Sequence, residues 1–77
     1  MEPEIVDSAR KRGIADEDIL HALRNAIREY PNQGDYDLTV IVGPALNGVT
    51  LLEVGFDTAD DGRIVIVHAL KARKKYL

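Results

Sequence analysis

Two turn signals between three apolar stretches constrain this chain more than any other feature of its sequence. Asn47-Gly48 and Asp61-Gly62 are dipeptides that favour tight hairpin turns, because both accept a positive φ. The flanking stretches alternate between apolar and polar residues, which is typical of strands. The predicted strands are Tyr36 to Val42, Val49 to Asp57 and Arg63 to Ala69. Consecutive strands joined this closely must be antiparallel neighbours, so the sequence predicts a three-stranded antiparallel meander.

Two helices are predicted before the meander. The first covers Ile5 to Arg12 and ends at Gly13, a residue common just after a helix. The second begins at Asp16, taken as its N-cap, and ends at Tyr30, because Pro31 follows. Apolar residues recur at helical spacing along this second helix and form one stripe. The stripe consists of Ile19, Leu20, Leu23, Ala26, Ile27 and Tyr30.

The expected fold class is α+β, with two N-terminal helices packed on the three-stranded antiparallel β-meander as a two-layer sandwich. The second helix should cover one face of the meander, formed by Leu38, Val40, Leu52, Val54 and Phe56. Glu53, Gly55 and Asp57 alternate with that set and should face water. The third strand is apolar on both faces, so we expect it to be central or covered by a partner. The whole chain, residues 1–77, should form one domain with a basic C-terminal segment at 71–77.

Composition favours a soluble, cytoplasmic protein. The chain contains no cysteine, which fits a reducing compartment and leaves no thiolate for a metal site. The first residues are acidic and do not resemble a signal peptide. The longest mostly apolar stretch, Ile64 to Leu70, is too short to cross a bilayer.

Charge is distributed unevenly along the chain. The net charge is −3, from ten basic and thirteen acidic residues, which argues against general nucleic-acid binding. Four of the ten basic residues lie within the C-terminal segment, namely Lys71, Arg73, Lys74 and Lys75. The remaining six face thirteen acidic residues, so the molecule is an acidic body with a cationic end.

Common motifs for phosphate loops, dinucleotides and metal ions are absent from the sequence, and we expect neither a metal ion nor a cofactor. The run from His68 to Tyr76 is the most informative segment, because it combines an imidazole, a guanidinium, three ammonium groups and a phenol. Cleavage of RNA at its own 2′-hydroxyl needs a proton acceptor, positive charge on the phosphate and a donor for the leaving oxygen. These side chains can fill those roles without a metal ion. A basic segment that is only solvated, or that binds an acidic partner, remains the simpler interpretation of the residue types alone.

The order of these elements resembles a family of small bacterial toxins. The matching stretches are Leu-Thr-Val-Ile-Val-Gly-Pro-Ala-Leu-Asn-Gly at 38–48, Leu-Leu-Glu-Val at 51–54 and Ile-Val-His-Ala-Leu-Lys-Ala-Arg-Lys-Lys-Tyr at 66–76. Together they resemble BrnT-like toxins of the wider RelE-type ribonuclease group, from type II toxin–antitoxin systems. The likeness extends from about Lys11 to Tyr76, and it rests on the combination because no single stretch is diagnostic.

The resemblance implies a RelE/BrnT-like two-layer sandwich and a metal-independent endoribonuclease. It also implies a partner, a small DNA-binding antitoxin of ribbon-helix-helix type, with homo-oligomers forming through the toxin–antitoxin complex. Carried over to this chain, the expected catalytic residues are His68, Lys71, Arg73 and Tyr76, and the expected RNA-binding residues are Lys74 and Lys75. The alternative is a non-catalytic interaction module, a degenerate toxin that binds a partner protein or nucleic acid through its basic C-terminal segment.

Overall fold

The computed structural model describes residues 2–34 and 37–77. Within them the chain forms a five-stranded sheet, one α-helix and two 3₁₀ turns. The strands are β1 Glu4–Ile5, β2 Arg28–Gln33, β3 Leu38–Pro44, β4 Leu51–Thr58 and β5 Ile64–Lys71, and helix α1 is Asp16–Arg24. The 3₁₀ turns are Asp7–Arg10 and Lys74–Tyr76. The sheet order is β1-β5-β4-β3-β2, in which β1 is parallel to β5 and all other neighbours are antiparallel.

The predicted fold class is wrong, although its three strands are present as β3, β4 and β5. They pair in chain order with antiparallel register. β5, which was expected to be central, has neighbours on both sides but lies second from the edge, with β1 pairing along only two residues. The predicted start of the first of these strands, at Tyr36, lies outside the described residues.

The first predicted helix, Ile5 to Arg12, is replaced by a strand and a 3₁₀ turn. Ile5 pairs with Ile66 in β1, and the Val6 N–H donates to the Ile66 carbonyl at 3.1 Å. The Ser8 hydroxyl then donates to the Val67 carbonyl at 2.8 Å. An isolated helix of this length is marginal, whereas the edge of β5 offers backbone partners that local helix formation does not. Pairing with a distant strand therefore overrides the local pattern.

The second predicted helix is shorter than expected, at nine residues. It begins at Asp16 but ends at Arg24, and Asn25 follows as the C-cap, with its side-chain amide donating to the His21 carbonyl at 2.9 Å beside the backbone N–H at 3.1 Å. Ala15, rather than Asp16, is the residue at the N-cap, and the Asp16 carboxylate instead receives the Arg10 guanidinium. The last three residues of the predicted helix, Arg28 to Tyr30, instead begin β2, an edge strand that pairs with β3. An edge strand tolerates a proline such as Pro31, since its N–H would point to solvent.

Helix α1 covers one face of the sheet, which we call the helix face. Its buried core consists of Ala9, Ile19, Ala22, Ile41, Ala45, Leu52, Val54, Ile66 and Ala69. Gly43 lies where α1 crosses β3, and a Cβ on Gly43 would overlap the backbone carbonyl of Ala22. The absence of a side chain at Gly43 thus sets how closely the helix approaches the sheet.

The opposite face, which we call the open face, carries Val40, which was predicted to lie under the helix. Val40 lies opposite Gly55, and Val42 lies opposite Glu53, so both valines share a face with Glu53. The predicted common face of Val40 with Leu52, Val54 and Phe56 is therefore wrong. The prediction of a water-facing Glu53 is also wrong, because the Glu53 side chain is fully buried.

Candidate functional site

The C-terminal segment folds back over the open face of the sheet. After β5 the Ala72 N–H donates to the Leu51 carbonyl at 3.0 Å, and the second 3₁₀ turn follows. Tyr76 in this turn is only 5% exposed and packs against Val40 and Val42. Its ring centroid lies 5.1 Å from that of Tyr30, whose hydroxyl donates to the Tyr76 carbonyl at 3.0 Å. The basic segment is therefore a packed part of the domain.

A buried carboxylate lies beneath this segment. Glu53 is in the middle of β4, and each of its two oxygens accepts two hydrogen bonds. Oε1 accepts from the Arg73 backbone N–H at 2.9 Å and from Arg73 Nε at 3.0 Å. Oε2 accepts from Arg73 Nη2 at 2.8 Å and from His68 Nε2 at 2.9 Å. We call Glu53, His68 and Arg73 the Glu53 cluster.

These hydrogen bonds keep the buried carboxylate ionised. Burial by itself raises the pKa of Glu53, but the hydrogen bonds from Arg73 and His68 outweigh it and lower the pKa to about 2. The same contact raises the pKa of Arg73, mainly through its side-chain hydrogen bond to Glu53. At neutral pH, Glu53 is therefore a negative charge that Arg73 neutralises inside the domain.

The ionised carboxylate also determines which ring nitrogen of neutral His68 carries the hydrogen. A carboxylate only accepts hydrogen bonds, so Nε2 of His68 must carry the hydrogen that it shares with Glu53. The other ring nitrogen, Nδ1, has no hydrogen-bond partner among the described residues. The His68 side chain is 34% exposed, so solvent reaches the imidazole. In its neutral form, His68 thus has Nδ1 as its proton acceptor.

A glycine makes room for this imidazole. Gly55 lies directly opposite His68 on β4. A Cβ on Gly55 would lie 3.2 Å from the His68 Cβ and 3.3 Å from its Cδ2, which is tighter than ordinary van der Waals contact. The small residue lets the ring lie flat against the strand while it reaches Glu53.

Two members of the Glu53 cluster, His68 and Arg73, line a shallow groove with a volume of about 190 Å³. Its lining combines polar and charged side chains with apolar residues of β3. The lining consists of Gln33, Gly34, Leu38, Val40, His68, Arg73, Lys75 and Tyr76. The Lys75 ammonium lies 5.0 Å from the Tyr76 ring centroid, and the Arg73 guanidinium lies 5.8 Å from it. Both cations thus lie over one aromatic ring at the rim of the groove.

The groove brings together four of the six residues expected from the sequence, His68, Arg73, Lys75 and Tyr76. Lys71 pairs with Leu52, whose side chain belongs to the helix-face core, so Lys71 is directed to the opposite side of the sheet from His68. Lys74 is exposed in the 3₁₀ turn and does not line the groove. The Tyr76 hydroxyl donates to Gln33 Oε1 at 3.4 Å, and the buried ring cannot stack on a base without leaving its place.

Three residues of the site were missed by sequence reasoning. Glu53 reads as a solvent-facing residue because it alternates with apolar neighbours, and its burial depends on Arg73, twenty positions later. Its position between Leu52 and Val54 in an otherwise apolar stretch was the available signal. Tyr30 and Gln33 belong to β2, which was not predicted as a strand.

A larger pocket, of about 320 Å³, lies on the other side of the molecule between the start of α1 and the β3–β4 loop. Its acidic side chain is already paired, since Asp18 Oδ1 accepts the Leu46 N–H at 3.0 Å. Asn47 likewise accepts the N–H groups of Val49 and Thr50 within its own turn. None of the residues expected to act on RNA lines this pocket.

Within residues 2–34 and 37–77, no three His, Asp or Glu side chains come together in a way that could hold a metal ion. No helix in that part of the chain has the length and apolar character needed to span a membrane.

Comparison of the chain with protein-family models, with curated proteins and with solved structures found no match.

Proposed function

We propose that this protein is a metal-independent endoribonuclease that acts as the toxin of a toxin–antitoxin pair. One observation carries the proposal. His68 is held by an ionised carboxylate through one ring nitrogen, its other nitrogen has no partner among the described residues, and the residue lines a groove together with Arg73 and Lys75. A proton acceptor next to fixed positive charge is what cleavage of RNA by its own 2′-hydroxyl requires.

The proposed reaction is a transphosphorylation. Nδ1 of His68 takes the proton of the 2′-hydroxyl, and O2′ forms a bond to the adjacent phosphorus. The bond from phosphorus to O5′ breaks, and O5′ takes a proton from the Lys75 ammonium. The products are a 2′,3′-cyclic phosphate and a 5′-hydroxyl end, and solvent restores both protonation states.

Arg73 and Lys75 are the groups that would stabilise the phosphate. Arg73 commits Nε and Nη2 to Glu53, which leaves Nη1 for a phosphate oxygen. Lys75 makes no ion pair among the described residues. Tyr76 is proposed as the anchor that holds this turn over the groove, since its ring is buried under both cations. Lys71, on the other side of the sheet, has no part in the proposed step.

The test is cleavage of a single-stranded RNA oligonucleotide in EDTA, with the ends of the products identified by mass spectrometry. Wild type should give 2′,3′-cyclic phosphate ends, and His68→Gln should lower the rate at least about 100-fold, the usual contribution of a general base. His21→Gln is the matched control, because His21 is the only other histidine and its Nδ1 binds the Pro44 carbonyl at 2.8 Å. It should cut like wild type.

The proposal fails if wild-type protein leaves the RNA intact, or if His68→Gln cuts as fast as wild type. It also fails if an oligonucleotide methylated at every O2′ is cut, because the attacking group would then be something other than the 2′-hydroxyl.

The same proposal includes a cytoplasmic protein partner, a small DNA-binding antitoxin of ribbon-helix-helix type. Expression of the chain alone should slow growth, and co-expression with the product of a neighbouring gene should restore it. Growth that is unaffected by the chain alone would contradict the toxin role.

A second candidate function is a non-catalytic interaction module. It is favoured by the position of Lys71 and Lys74, which lie outside the groove on exposed surface. A Lys71→Gln, Lys74→Gln double variant should then lose an acidic or nucleic-acid partner while its fold is kept. The ribonuclease proposal expects the same variant to cut RNA normally, so the two candidates are separated by one pair of measurements.

A further inference from the structure

We propose that Glu53 is a positioning residue, which holds His68 as its Nε2–H tautomer so that only Nδ1 can accept a proton from the substrate. The inference deepens the proposed ribonuclease function and rests on it for the meaning of that proton acceptor. Glu53 itself is fully buried and would not touch RNA.

The geometry leaves the carboxylate little freedom. Oε1 of Glu53 is fixed by two donors of Arg73, one of which is the main-chain N–H. Oε2 is shared between the Arg73 guanidinium and His68. Because a backbone group sets the orientation of the carboxylate, Oε2 lies at a defined place on the open face, and the imidazole turns to meet it.

The imidazole cannot reverse its orientation cheaply. A rotation by 180° would replace Nε2–H with a carbon and leave a buried carboxylate oxygen with one donor fewer. Gly55 lies against the ring from the neighbouring strand, where even a Cβ would make a tight contact with the His68 Cδ2, at 3.3 Å. The ring is therefore held from two sides, by a charge and by a close contact.

The fixed tautomer divides the two proton transfers between two residues. Nε2 is occupied by Glu53, so His68 can accept a proton at Nδ1 but cannot deliver a different one through Nε2 in the same turnover. The leaving oxygen needs a separate donor, which the proposed step assigns to Lys75. The proton from the substrate goes to Nδ1, while Nε2–H stays hydrogen-bonded to Glu53.

The substitution Glu53→Gln should change the tautomer of His68 from Nε2–H to Nδ1–H. A Gln at 53 has one acceptor and one amide group in place of two acceptors. Two Arg73 donors converge on the Oε1 position, so the Gln oxygen is expected there and the amide should face His68. An amide donates to Nε2, which moves the hydrogen of the neutral ring to Nδ1 and removes the proton acceptor.

The experiment is long-range ¹H–¹⁵N NMR of the imidazoles in the full chain, at a pH where the rings are neutral. In wild type, His68 should show a protonated Nε2 and a bare Nδ1. His21 is an internal control of the opposite tautomer, because its Nδ1 must donate to a carbonyl oxygen. The Glu53→Gln protein should show a protonated Nδ1 at His68 and an unchanged His21.

A protonated Nδ1 at His68 in wild type overturns the proposal without the need for any variant. So does a folded Glu53→Gln protein in which His68 keeps its wild-type tautomer. If Glu53→Gln fails to fold, the wild-type spectrum decides alone. These outcomes do not depend on RNA cleavage, so a failure of the ribonuclease proposal is seen separately.

Kinetics supply the second measurement. Glu53→Gln should lower kcat about 100-fold or more with KM nearly unchanged, as expected when a base is held in the wrong tautomer. Addition of His68→Gln to Glu53→Gln should cause no further loss, since both act on the same proton transfer. Rate losses that multiply in the double variant would show that Glu53 acts independently of His68 and would overturn the positioning role.

Discussion

The two faces of the sheet are closed in different ways. On the helix face, α1 packs apolar side chains against β3 and β4, the first 3₁₀ turn lies against β5, and Gly43 permits the closest approach of α1. On the open face, the C-terminal segment is held by the Glu53 cluster and by the paired rings of Tyr30 and Tyr76. The helix face is stabilised mainly by close apolar packing, whereas the contact of the C-terminal segment with the open face is stabilised by a buried charge and by hydrogen bonds. Changes in volume should therefore affect the first, and changes in pH or polarity the second.

The largest effect is expected on the helix face, from Gly43→Ala. The new methyl group would overlap the Ala22 carbonyl, so α1 must move away from the sheet. We expect a loss of about 3 kcal/mol or more in the free energy of unfolding, the upper range for overpacking a core. Urea denaturation measures this loss.

Gly48→Ala is the control for Gly43→Ala. Gly48 has a φ of +74° but open space around its Cβ position, so it tests backbone strain without a clash. Its expected cost is about 1 kcal/mol. Equal losses in the two variants would contradict the role assigned to close helix approach.

An intermediate loss of stability is expected on the open face when the pH is lowered. The pKa of Glu53 is lowered from 4.5 to about 2 in the folded protein, so its contribution to stability is present above pH 4.5. This contribution is lost as the pH falls from 4.5 towards 2, and its upper limit is on the order of 3 kcal/mol. Thermal unfolding between pH 6 and pH 2 measures the loss.

Glu53→Gln should reduce this acid sensitivity, because it removes the titrating group. It should be less stable than wild type at pH 6, and the difference should shrink towards pH 2. A wild-type protein and a Glu53→Gln protein with parallel pH profiles would show that the carboxylate does not stabilise the open face.

The smallest effect is expected from Tyr30→Phe. It removes the hydroxyl that donates to the Tyr76 carbonyl and leaves the ring contact in place. We expect a loss of about 1 kcal/mol, the usual net value of one hydrogen bond. Tyr76→Phe is the comparison, since its hydroxyl makes a longer contact of 3.4 Å and should cost less. A larger loss of stability in Tyr76→Phe than in Tyr30→Phe would contradict the assignment of the stronger hydrogen bond to the Tyr30 hydroxyl.

Local patterns predicted the three strands of the meander but not what surrounds them. Alternation and turn dipeptides are encoded within a few residues, and β3, β4 and β5 follow from them. The stretch from Ala26 to Tyr30 has apolar residues three apart, which fits the end of a helix as well as an irregular edge strand. Asn25 decides between them by ending α1, and β3 then supplies the pairing.

The part of the candidate site that could be predicted is the part encoded within a few consecutive residues. His68, Arg73, Lys75 and Tyr76 lie close in sequence, so a single stretch of the chain places them together. Glu53 joins them only through the cross-strand register, which puts Gly55 opposite His68 and brings Arg73 over β4. Register of this kind is set by the packed sheet, so it could not be predicted from alternation alone.

The irregular course of β2 affects how copies of the chain can meet. β2 forms an outer edge of the sheet, and its pairing with β3 shifts between Tyr30 and Gln33. Pro31 removes one N–H from that edge, and the positive φ of Asn32, 59°, bends the strand away from a straight path. A straight edge with regular donors and acceptors would attract strands from other molecules. This edge is unsuited to such pairing, which protects the sheet from growing by strand addition along β2.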